Sequence, residues 1–88
     1  MEKYFVYILF SKKDQKLYVG CTSNIEKRLE RHNKGNIKAT KHRKPLVLIH
    51  YEKFEDKEEA FNKERFLKSL WGARFKKQIK TKYLKQLI

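Results

Sequence analysis

Two apolar runs with a short polar break between them, near the amino terminus, constrain this chain most. Tyr4 to Phe10 and Leu17 to Val19 read as strands, and Ser11 to Lys16 is short enough for a hairpin loop. With the turn centred on Lys12 and Lys13, Tyr7 falls directly opposite Tyr18, and directly opposite residues share one face of a sheet. Two phenols would then stand on a common surface. Ser23 followed three residues later by Glu26 is a capping-box signature, which predicts a helix from about Asn24 to Asn33 with Gly35 as its stop. At about 100° per residue, Arg28 shares one side of that helix with Ile25, Leu29 and His32. Packing this side onto the hairpin brings a guanidinium toward the phenols.

Downstream, Asn36 to Lys44 reads as a basic loop, and Pro45 introduces Leu46 to Tyr51, a strand with apolar residues on both faces. Asp56 with Glu59 is a second capping signal, and the pattern Ala60, Leu67, Trp71 predicts a helix that runs on until Gly72 breaks or bends it. An amphipathic stretch follows, with Phe75, Ile79, Tyr83, Leu84 and Leu87 interleaved with lysines. The order is strand, strand, helix, strand, helix, helix. It predicts an α+β fold in which a small three-stranded, largely antiparallel sheet is flanked by helices, with the first strand at its centre. At 88 residues, positions 1–88 form one domain with one modest core.

The formal charge of +13, from 23 Lys and Arg against 10 Asp and Glu, points to a polyanion as partner, with an anionic membrane surface as the lesser alternative. No apolar run approaches the ~20 residues that span a bilayer. The amino terminus, with acidic Glu2 before a strand-like run, lacks a leader-peptide pattern, so the expected location is cytoplasmic. The single cysteine, Cys21, excludes an internal disulfide and a cysteine-rich zinc site, and it reads most simply as a small, half-buried residue.

Each chemical candidate has an ordinary reading beside the functional one. A strand tyrosine commonly packs its ring and solvates its hydroxyl, but the paired spacing of Tyr7 and Tyr18 favours a site. Arg28 borders the apolar side of its helix, where a fixed fork of donors suits a phosphate. His32, one turn on, is either a satisfied structural histidine or a group that orients a phenol. Glu64 interrupts the apolar stripe of its helix. It is either paired with Lys68 at i+4 or a ligand for a hard divalent cation, Mg²⁺ or Mn²⁺, which can use one carboxylate together with waters and a substrate phosphate. Two basic runs are candidate nucleic-acid contacts: Lys38, Lys41, His42, Arg43 and Lys44 around Thr40, then Arg74, Lys76 and Lys77 near the carboxyl end.

The triplets Phe5-Val6-Tyr7 and Tyr18-Val19-Gly20, followed by Arg28 and His32 and later by Glu64, resemble the GIY-YIG nuclease superfamily, closest to its small stand-alone bacterial members. Phe5 stands where the first triplet's glycine would be, and no counterpart is identified for the asparagine that larger nucleases carry near the domain's end. The resemblance implies a metal-dependent DNA endonuclease that hydrolyses phosphodiester bonds, in DNA repair or recombination. In it Tyr7, Tyr18 and His32 handle the attacking water, Arg28 stabilises the transition state, and Glu64 holds a single divalent ion. Gly20 would permit close backbone approach. A phenol serves as a base only if nearby cations favour the phenolate, and Arg28, the metal and local lysines are expected to do so. The alternative is a nucleic-acid-binding module on the same fold with little or no catalysis.

Overall fold

The computed structural model describes residues 3–87. Glu2, used above to argue against a leader, lies outside them, as do Met1 and Ile88. The first strand, β1 (Tyr4–Ser11), and the second, β2 (Leu17–Thr22), form the antiparallel hairpin, in a register two residues away from the expected one. The polar break explains the shift. Ser11 continues the strand, and its Oγ accepts the Lys13 and Asp14 amides at 3.2 Å each. Asp14 Oδ1 in turn accepts the Lys16 amide at 2.9 Å. The turn is therefore centred on Lys13 and Asp14, so Tyr7 faces Gly20 and Tyr18 faces Leu9. A shift of two keeps every side chain on its own face.

The third strand, β3 (Leu46–Phe54), pairs antiparallel with the other side of β1, which gives the order β2-β1-β3 with β1 central. Alternation along β1 divides the core into two layers. Val6 and Ile8 pack with Val19, Ala60 and Leu67, and with Phe75 and Ile79, on one face; Tyr7 and Leu9 pack with Leu46, Tyr18 and Leu29 on the other. The second face is covered by α1 (Ile25–Asn33). Its N-cap is Asn24 rather than Ser23, because the Asn24 carboxamide reaches the Lys27 amide at 3.1 Å. The helix ends where the amides of Gly35 and Asn36 bond back to the His32 and Arg31 carbonyls. Asn33 then ties it to the sheet: its side chain accepts the Leu46 amide at 2.7 Å and donates to the Leu46 carbonyl at 3.0 Å.

The first face is covered by α2 (Lys57–Lys68), capped by Asp56, and α3 (Ala73–Gln86). The helix expected to run to Gly72 stops at Lys68, and a short 3₁₀ turn at Leu70–Gly72 reverses the chain. A Cβ at Gly72 would collide with the Phe66 carbonyl oxygen and lie 2.6 Å from the Leu67 Cα, so the turn closes tightly against the end of α2. That closure swings Trp71 off the buried stripe and into solvent, 84% exposed. Phe75 and Ile79 take its place in the core.

Candidate active site

Tyr7 is buried, and its ring lies across Gly20 on the edge strand β2. A Cβ at position 20 would collide with the Tyr7 hydroxyl and Cζ, which gives Gly20 a steric role. The phenol oxygen stands 3.0 Å from His32 Nε2, and His32 Nδ1 stands 2.6 Å from Thr40 Oγ1. His32 and Thr40 are both wholly buried, which fixes the imidazole between its two partners. Tyr18 completes the cluster, with its ring centroid 6.5 Å from Tyr7 and 5.1 Å from His32. Arg28 reaches the Tyr7 phenol from α1. Its Nε is the buried side-chain nitrogen left without a partner among the described residues. A buried donor in that state is poised for an anion.

Thr40 is the residue that sequence reasoning passed over. It sits at the end of a 3₁₀ turn (Lys38–Thr40), inside the segment read as a basic loop. The one signal is an uncharged hydroxyl surrounded by cations.

Burial pushes the Tyr7 phenol above its usual pKa of 10.0, outweighing the opposing Arg28 contact, with the Tyr18 and Glu64 charges adding to the rise. Arg28 favours the phenolate, as expected, but in the free protein burial outweighs it and Tyr7 is a neutral phenol. Burial, helped by Arg28 and Arg31, depresses His32 to about 4, so at neutral pH it is an uncharged imidazole. Two tautomers satisfy the distances. In one, Tyr7 O–H donates to Nε2 and Nδ1–H donates to Thr40; in the other, Thr40 O–H donates to Nδ1 and Nε2–H donates to Tyr7.

Glu64 belongs to α2, on the opposite layer, and its charge raises the pKa of both Tyr7 and Cys21. It borders the buried stripe of Ala60 and Leu67, with 20% of its side chain exposed, and Lys68 Nζ bonds its Oε2 at 3.0 Å. Glu64, Phe61 and Arg65 line an open cleft of about 500 Å³. No cluster of three His, Cys, Asp or Glu side chains is present among the described residues. The donor set suits a hard cation that keeps several waters and takes further contacts from phosphate, since Oε1 is outside the Lys68 bond and Lys68 is half exposed. Cys21 is half-buried, and burial raises its thiol pKa, which makes it an unreactive packing residue.

The basic residues divide between the layers. Lys38, Lys41, His42 and Lys44 are exposed on the loop that Thr40 pins to the α1 side. Arg74 and Lys77 line a groove of about 400 Å³ on α3, on the far side of the sheet, while Lys76 is half-buried outside it. Arg43, among the expected nucleic-acid contacts, is tied into the fold: its Nε donates to Asp14 at 2.8 Å and its Nη2 to the Leu17 carbonyl at 3.2 Å. With Ser11 Oγ donating to the Arg43 carbonyl at 2.6 Å, this residue closes the β1–β2 turn onto the loop before β3.

Comparison with known proteins agrees with this arrangement. The family model of the GIY-YIG catalytic domain matches residues 3–83. The chain is 41% identical over 83 residues to a UPF0213 protein of Clostridium perfringens, covering 93% of this chain and 88% of that one. It is 40% identical over 87 residues to a UPF0213 protein of Staphylococcus haemolyticus, covering 98% and 99%. The solution NMR structure of a UPF0213 protein from Bacillus halodurans superimposes with a TM-score of 0.56 at 32% identity, covering 91% of this chain and 85% of that one. No helix among the described residues is long and apolar enough to cross a membrane. With paired tyrosines on a β2-β1-β3 sheet and the arginine and histidine on the helix that covers it, the chain belongs to the GIY-YIG catalytic domain family, a nuclease superfamily whose substrates are nucleic acids.

Proposed function

We propose that this protein is a metal-dependent DNA endonuclease that hydrolyses phosphodiester bonds, acting in DNA repair or recombination. The observation that carries the reading is the buried Tyr7 hydroxyl, 3.0 Å from a neutral His32, together with an Arg28 that keeps a buried Nε donor unpartnered. Hydrolysis needs a deprotonated water, compensation for charge on the phosphoryl oxygens and stabilisation of the leaving alkoxide. Arg28 meets the second need by donating to a phosphoryl oxygen from a site with little competing water. Tyr7 positions the attacking water. With its O–H donated to His32 Nε2, and Nδ1–H donated to Thr40, the phenol oxygen turns a lone pair toward that water and holds it in line. Tyr18 packs against both rings and limits their motion. Glu64 would hold Mg²⁺ or Mn²⁺, which when bound supplies positive charge beside the leaving oxygen.

The alternative, nucleic-acid binding with little or no catalysis, draws on the raised Tyr7 pKa, which keeps the phenol neutral and so a poor base. Cleavage assays decide between the two. Duplex, nicked, branched and single-stranded DNA are incubated with the purified protein in Mg²⁺ or Mn²⁺, beside Arg28→Ala and Glu64→Gln. Both substitutions should abolish cleavage. Glu64→Gln should change stability by no more than about 0.5 kcal/mol, because what it loses is an i,i+4 pair whose Lys68 end is half exposed. Metal-dependent cleavage that persists in Glu64→Gln rejects the metal assignment, and DNA bound but uncut by the wild type favours the binding module.

A further inference from the structure

Leu70 and Trp71 are 92% and 84% exposed, side by side on the turn between α2 and α3. Exposed apolar side chains that adjoin one another, rather than lying scattered, are where a contact surface is to be sought. This pair is rigidly presented. Gly72 is packed against the backbone of Phe66 and Leu67 so closely that no side chain fits, and Ser69 Oγ donates to the Phe66 carbonyl at 2.6 Å. Phe66, itself 42% exposed, extends the apolar surface back along α2.

The charges around the pair select its partner. Arg65 and Lys68 precede it on α2, and Arg74 and Lys77 follow it on α3, where they line the cationic groove. A second copy of this chain would bring the same cations together, on a molecule whose formal charge is already +13. A phosphodiester strand meets both halves of the surface: phosphates along the α3 groove, and a base face against an aromatic ring. A base within an intact duplex has both faces covered by its neighbours, so only an unpaired or unstacked base is free for this contact. Glu64 lies one helical turn before the end of α2, about 6 Å along its axis from Lys68.

We infer that Leu70 and Trp71 form a stacking platform for an unpaired base of the nucleic-acid substrate, with Arg74 and Lys77 holding the adjoining phosphates. The inference rests on the nucleic-acid reading of the candidate active site and specifies its substrate as DNA carrying single-stranded or flipped nucleotides.

Trp71 is the chain's single tryptophan, so its fluorescence reports on this site alone. The full chain, without metal so that nothing is cut, is titrated with a single strand, a forked duplex and a fully paired blunt duplex, while anisotropy of labelled DNA measures binding independently. Single-stranded and forked DNA should quench Trp71. Trp71→Ala should weaken their binding by about tenfold while changing blunt-duplex affinity less than about twofold. Trp71 is almost wholly exposed, so this variant retains the fold.

Binding seen by anisotropy with no change in Trp71 emission, or an equal loss for all three DNAs in Trp71→Ala, overturns the platform and leaves the nuclease reading standing. Absence of binding to any DNA removes both. Vesicles of anionic phospholipid are the remaining arm: a Trp71 blue shift with vesicles and no response to single strands would assign the patch to a membrane surface instead.

Discussion

His32 is wholly buried and ionises only near pH 4, whereas an unfolded histidine takes up its proton near 6.5. Above pH 6.5 both states are neutral and the imidazole bridge between Tyr7 and Thr40 is intact. As pH falls from 6.5 to about 4, the unfolded chain binds a proton that the native chain refuses, so stability falls by about 3 kcal/mol in total. Asp14, lowered to about 2 chiefly by Arg43, loses its own contribution in a separate window, from 3.8 down to that value. Urea unfolding at pH 7 and pH 4.5 should therefore show a steep loss in the wild type and a flatter one in His32→Gln, whatever that variant's stability at pH 7. Equal slopes would mean that His32 is not held neutral. At this scale the nearness of Tyr7, Tyr18 and His32 was legible in the sequence, because spacing along a strand and a helix identifies which residues share a face. Thr40 was not, since its bond to His32 joins residues that no periodicity relates.

The helices begin where their capping residues predict, at Asn24 and Asp56, within one residue of expectation. Their ends depend on packing. The stripe Ala60, Leu67, Trp71 keeps helical spacing, yet the chain leaves the helix after Lys68 because Gly72 can lie against the Phe66–Leu67 backbone and deliver Phe75 to the core. Gly72→Ala should destabilise the protein by about 1 to 3 kcal/mol, since the colliding atoms are backbone and cannot rotate away. A lower urea midpoint at unchanged slope is the expected result. An unchanged midpoint would show slack in the α2–α3 junction. The hairpin follows the same logic: its strands were legible, while Ser11 and Asp14 decided the register through bonds that a count of loop residues does not contain.

Across the whole molecule, the charge of +13 is divided by the sheet, with the Thr40 loop on one layer and the α3 groove on the other. The slope of log affinity against log salt should therefore respond to the layer that touches DNA, by about 0.9 for each duplex phosphate contact removed. Arg74→Ala with Lys77→Ala should lower its magnitude by about 2. Arg43→Ala should leave the slope unchanged and lower stability instead, because Arg43 holds Asp14 and the Leu17 carbonyl. A slope indifferent to Arg74 and Lys77 would move the interface to the Thr40 loop. By itself the sequence determined the order of elements, the α+β class, the central strand and the faces on which Tyr7, Tyr18, Arg28 and His32 stand, because alternation, helical spacing and capping are local properties of the chain. Only the tertiary structure decided that Tyr7 is a buried neutral phenol against Gly20, that Arg43 is a fold contact, that Trp71 faces solvent and that the two basic segments lie on opposite layers. Those outcomes depend on desolvation and on contacts between residues far apart in the chain, which exist only once the layers have closed on the sheet.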